Sequence, residues 1–190
     1  MKKALVVIDY QNDFLSNKGK VAKRLGSELI ASGQKISKKI QALIDQFHSK
    51  NNYVIFLMSD YNTQNYKGAF KEHRKKSPYG DTAFFGEWGY NLYELKAGDE
   101  DKFIVKKFFD GFYKTNFDQF LKKEGVIDLH FCGINTDVCV FHTAIGAMNR
   151  GYSVTVIKNA TATITNHKNI FLNYLAKFAG VKIKNSKDYE

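Results

Sequence analysis

Apolar residues are arranged along the chain in two alternating ways, as short unbroken runs and as stripes at helical spacing. "KALVVID" (3–9) is a run of strand length that stays apolar until its final aspartate, as expected for a strand covered on both faces. After a polar loop, Ile36, Ile40, Leu43, Ile44 and Phe47 recur at three- and four-residue steps and predict a helix over 34–49. "YVIFLM" (53–58) is a second strand, and "KFIVKK" (102–107) a third, followed by a helix over 117–123. "DLHFCG" (128–133) reads as a fourth strand and "SVTVIK" (153–158) as a fifth, with a helix between them. A helix over 168–178 and a short strand at "VKIK" close the series.

Strands that alternate with helices predict a three-layer α/β/α domain over 1–190, with a mainly parallel sheet of about six strands. No internal repeat or low-complexity linker divides it. The segment 59–101 is far longer than an ordinary connection between strands and is expected to be a lid or insert over a site. In sheets of this kind, ligands bind at the carboxyl ends of the strands.

Composition narrows the setting. No apolar run approaches the ~18 residues of a membrane span, and Asp9 interrupts the N-terminal run with no small-residue cleavage site after it. The two cysteines, Cys132 and Cys139, fit neither a disulfide framework nor a common zinc spacing, so a reducing, cytoplasmic setting is expected. The 29 basic and 19 acidic residues leave a net charge of +10. Apart from "KEHRKK" (71–76) the lysines are dispersed, so specific nucleic-acid binding is not expected. The expected partners are a small-molecule amide and further copies of the chain in a homo-oligomer, with no membrane.

Candidate chemistry gathers at strand ends. The first strand ends in Asp9, the third in Lys106 and Lys107, and the fourth in Gly133, a few residues before Cys139. A carboxylate, an ammonium and a thiol thus reach one edge of the sheet. A free thiol near pKa 8.5 is mostly protonated at neutral pH, and a nearby cation or helix N-terminus favours the thiolate. A carboxylate accepts the thiol proton and returns it to a leaving group. Cys132, inside an apolar strand, reads as a small buried hydrophobe.

Three stretches carry a family resemblance. "ALVVIDYQNDF", "VKKFFDGF" and "GINTDVCVFHTAIGAMNRGY" resemble, in order, the three motifs of the isochorismatase-like cysteine hydrolases, which include nicotinamidase/pyrazinamidase. The resemblance implies an Asp–Lys–Cys triad of Asp9, Lys106 and Cys139, with Lys107 the alternative lysine. It implies a cis peptide bond at Ile134–Asn135, which would aim the Asn135 and Cys139 N–H groups at one oxyanion. Cys139 would attack a carboxamide while Asp9 takes its proton and Lys106 steadies the thiolate. Phe14 and Phe109 fall where the family has an apolar wall for a flat substrate.

The chain departs from the nicotinamidase pattern at the metal. Those enzymes place Asp-x-His after the second strand, to hold a divalent ion that grips the pyridine nitrogen. Here the stretch reads "SDYNTQNYKGAFKEH", with Asp60 present and Asn62 in the histidine's place. Glu72 and His73 are the remaining candidates, so no certain cofactor is expected and at most a weakly bound divalent metal. His48, His130, His142 and His167 show no ligand spacing. Three readings follow. The first is a nicotinamidase-like amidohydrolase. The second is a metal-free relative acting on an N-carbamoyl compound or an isochorismate-like vinyl ether. The third is a non-catalytic binding protein on the same fold.

Overall fold

The computed structural model describes residues 2–189, and every side chain among them except that of Leu29. Six strands, β1 (Lys2–Ile8), β2 (Tyr53–Ser59), β3 (Lys102–Lys106), β4 (Val126–Ile134), β5 (Ser153–Ala162) and β6 (Lys182–Lys184), form one sheet in the order β3-β2-β1-β4-β5-β6. Every pairing is parallel.

The unbroken apolar run of β1 is explained by what covers it. Leu5 and Val7 face a core shared with α1 (Asn12–Leu15), α2 (Lys20–Leu25), α3 (Ser27–Gln34) and α4 (Ser37–Ser49). Ala4, Val6 and Ile8 face the opposite core, built with α6 (Phe117–Glu124), α7 (Phe141–Met148) and α8 (Lys168–Phe178). A strand whose alternate residues enter two cores has no polar face to show. The three-layer α/β/α architecture is therefore as expected. No helix among the described residues is long and apolar enough to cross a membrane.

Two expectations change. The stretch before residue 34, read as a polar loop, holds the three short helices α1 to α3, and the predicted helix over 34–49 starts only at Ser37. Gly19 and Gly26 separate these helices, leaving each too short to show a helical stripe. At Gly26, φ is +94°, a conformation that favours glycine. Strand β5 also runs past its expected end at Lys158 to Ala162, through a register shift against β4.

The long connection between β2 and β3 contains α5 (Gly68–Lys76), and two single-turn 3-10 segments at Thr63–Asn65 and Trp88–Tyr90. It is strapped to the loop after β1. Asn12 N donates to Asn91 O and Tyr93 N to Tyr10 O, both at 2.9 Å, and Gln11 Nε2 reaches Tyr90 O and Ser59 O at 3.0 Å. Asp13, almost fully buried, accepts from Ala83 N at 2.7 Å and Lys20 N at 3.1 Å. The residues after Asp9 in the first motif thus hold the insert in place over the sheet edge.

This strapping yields a stability test. Asp13→Ala leaves the buried Ala83 N–H without its acceptor, and should cost about 1–3 kcal/mol in urea denaturation. Limited proteolysis should then cut first within 60–101, and Asp13→Asn, which keeps an acceptor oxygen, should be milder on both measures.

Candidate active site

The site sits where the strand order reverses, between β1 and β4, the usual ligand position in an open parallel sheet. Gly133 makes the junction possible. Its φ is +108°, and a Cβ there would lie 2.2 Å from the Ile8 carbonyl oxygen. A bare backbone lets β4 press against the end of β1 as the chain turns toward Cys139. Beyond it lies a non-proline cis peptide bond at Ile134–Asn135. Residues Thr136–Val140 then form a π-helical turn that leads into α7 and carries Cys139.

Asp9, Lys106 and Cys139 come together as the strand ends suggested. Lys106 is fully buried, and its Nζ lies 2.8 Å from Asp9 Oδ2 and 3.5 Å from Cys139 Sγ. It also donates to Ser59 Oγ at 2.8 Å and to Tyr61 Oη and Phe108 O at 3.2 Å. Ser59 Oγ in turn donates to Asp9 Oδ1 at 2.7 Å, and Tyr61 Oη lies 3.2 Å from Cys139 Sγ. Lys107, the alternative lysine, turns outward to Asn65 Oδ1 at 3.0 Å.

Electrostatics set the resting state. Burial opposes the charge on Lys106, but the Asp9 carboxylate, then Cys139 and Tyr61, hold its pKa well above the usual value. Burial pushes the Cys139 thiol up to about 12, the Asp9 charge adds to this, and Lys106 offsets only part of it. Burial and then the neighbouring Cys139 keep the Tyr61 phenol protonated as well. Against the sequence-based expectation of a cation-stabilised thiolate, burial and the Asp9 charge together outweigh Lys106 and raise the Cys139 thiol above its ordinary value.

A cavity of about 170 Å³ opens onto the sulfur, below the ~300–1,000 Å³ of drug-sized sites. Phe14 and Phe109 both line it, as do Asn135 and Cys139. The Asn135 side chain donates to Tyr79 Oη at 3.0 Å, and its carbonyl accepts from Val138 N and Val140 N at 3.1 Å. Four contributors went unrecognised in the sequence: Ser59 and Tyr61, then Arg74 and Tyr79. The first pair follows from the strand-end rule applied to β2. The others come from the insert, where no local pattern marks them.

The metal candidates do not converge. Glu72 is solvent-exposed and pairs with Lys75 at 3.0 Å. Asp60 accepts from Asn65 Nδ2 at 3.4 Å, and Asn62 caps its own turn through Gln64 N at 2.9 Å. His73 reaches the cavity wall, next in sequence to the cationic Arg74. Among the described residues, no three His, Cys, Asp or Glu side chains assemble as a metal-binding group. The set Asp60, Glu72 and His73 therefore does not fit a divalent ion of the nicotinamidase kind, because α5 turns its acid outward.

A parallel sheet of this order, with a buried cysteine at its carboxyl edge, has the fold of the isochorismatase-like hydrolases. Residues 3–183 match the isochorismatase domain, and the chain belongs to that family. An uncharacterized isochorismatase family protein of Bacillus subtilis, PncA, is 28% identical over 96% of this chain and 99% of its own length. A protein of Arabidopsis thaliana described as a probable inactive nicotinamidase is 31% identical, over 85% of this chain and 81% of its own. The crystal structure of the pyrazinamidase/nicotinamidase of Streptococcus mutans superposes with a TM-score of 0.81 at 27% identity, covering 96% of this chain and 99% of that one.

The raised thiol pKa is directly testable. Carbamidomethylation of Cys139 in the free protein, followed by mass spectrometry, should still accelerate above pH 9, and a plateau by pH 7 would reveal a standing thiolate. The same shift has a stability sign. An acid whose pKa is raised on folding stabilises the fold below its unfolded value, and that contribution is lost as pH climbs toward about 12. Cys139→Ala should accordingly flatten the alkaline fall in stability.

Proposed function

We propose that the protein is a cysteine hydrolase of small carboxamides that works through a thioester, with nicotinamide the first substrate to test. The observation that carries this reading is the Cys139 thiol held 3.5 Å from the Lys106 ammonium of a buried Lys106–Asp9 pair, at the floor of a small cavity. The isochorismatase family membership and the likeness to a pyrazinamidase/nicotinamidase support it.

The chemistry follows from these groups. As the thiol attacks the amide carbonyl, its proton passes to Asp9, and Lys106 stabilises the sulfur's developing charge. The carbonyl oxygen becomes an oxyanion held by the Asn135 and Cys139 N–H groups. Asp9 returns the proton to the departing nitrogen, ammonia leaves, and a thioester remains on Cys139. Water, losing a proton to Asp9, then releases the carboxylic acid and restores the thiol. Burial of the whole group strengthens each of these interactions. The unassembled metal donors favour, as a second reading, a family hydrolase whose substrate needs no ion, such as an N-carbamoyl compound.

Ammonia release from a panel of small amides tests the proposal. Cys139→Ala should reduce turnover to background while circular dichroism stays native. Asp9→Asn should lower kcat by roughly 10²–10⁴-fold, the usual worth of a positioned acid–base group. Undiminished turnover in Cys139→Ala would overturn the mechanism.

A further inference from the structure

One group in the cavity has no task in this chemistry. Arg74, on α5, is 2% exposed and lines the same cavity as Cys139. Its guanidinium carbon lies 4.1 Å from the centroid of the Tyr61 ring and 5.7 Å from that of Phe109. Nη2 donates to the Tyr79 carbonyl at 2.8 Å, while Nε is buried with no acceptor. Among the described residues no carboxylate pairs with it.

The charge balance around the cavity is consequently uneven. Asp9, the acid on its wall, is already neutralised by Lys106, whereas Arg74 has no anionic partner. The nearest charged neighbours along α5 are mainly further cations, Lys71, Lys75 and Lys76, beside the exposed Glu72. A buried cation without a counter-charge is unfavourable, and an incoming carboxylate would relieve it through charge-assisted, bidentate hydrogen bonds. Position narrows the ligand further. Tyr61 touches Cys139 Sγ with its hydroxyl and stacks under Arg74 with its ring. The guanidinium and the sulfur thus contact the same side chain, one at its ring face and the other at its hydroxyl.

We propose that Arg74 binds a carboxylate on the substrate, so that the site takes small amides bearing an anionic group a few bonds from the scissile carbonyl. The inference rests on the amidohydrolase reading above and narrows its substrate class.

The test compares matched amides that differ in charge. Ammonia release would be measured for succinamate against butyramide, and for 3-carboxybenzamide against benzamide and nicotinamide. The acid amides should have ~10- to 100-fold higher kcat/KM, the range expected for hydrogen bonds to a charged group. Arg74→Gln should remove that preference and Arg74→Lys retain part of it, both checked for native circular dichroism. If Arg74→Gln does not fold, the preference of the unaltered protein and of Arg74→Lys decides. Turnover of neutral and acid amides at equal rates would overturn the role of Arg74 and leave the amidohydrolase reading intact. Should no amide turn over, that reading fails, and protection of Cys139 from iodoacetamide becomes the measurement. Better protection by succinamate than by butyramide then supports the anion site, and equal or absent protection overturns it.

Discussion

The site depends on one buried ion pair that spans a strand. Lys106 ends β3 and Asp9 follows β1, with β2 lying between them in the sheet. Two strand spacings amount to about 9.6 Å, so only a long side chain bridges them. The four-carbon stem of lysine does so, and the strand it crosses contributes Ser59, whose hydroxyl accepts from Lys106 and donates to Asp9. Such a pair is a poor source of stability, because desolvation offsets much of the attraction. Its value is positional. It fixes an ammonium and a carboxylate beside one sulfur.

The rest of the molecule can be understood as support for that arrangement. The two apolar cores keep β1 central and water away from its end. Gly133 permits the close approach that delivers Cys139, and Asp9 leaves its strand at φ +53°, a conformation that aspartate tolerates better than most residues. The insert between β2 and β3 supplies the opposite wall. Its hold on the first motif through Gln11, Asn12 and Asp13 couples the integrity of the wall to the strand that bears Asp9. The cavity is therefore walled on one side by the insert, through Tyr61, His73, Arg74 and Tyr79, while Asp9, Lys106 and Cys139 come from the ends of sheet strands and the turn after β4.

Much of the fold was legible in the sequence because strand and helix patterns are local. An unbroken apolar run reports a strand covered on both faces, and the 40, 43, 44, 47 stripe reports α4, whatever else the chain does. The same locality explains the misses. Helices α1 to α3 are each shorter than the window in which a helical period shows, and β5 runs on through a register shift that depends on β4.

The sequence by itself determined the layers, the order of the six strands along the chain, and the candidates Asp9, Lys106 with its neighbour Lys107, and Cys139, since each stands at a strand end or in a recognisable motif. Tertiary structure alone decided what their charges do. The protonated state of Cys139 is a sum over burial, Asp9 and Lys106, contributed by segments far apart in the chain. Arg74 stands in "KEHRKK", which in sequence is marked only as a dense basic cluster. It lies on the cavity wall only because contacts across the insert orient α5, and a charge takes its meaning from the neighbours that folding brings to it rather than from those beside it in sequence.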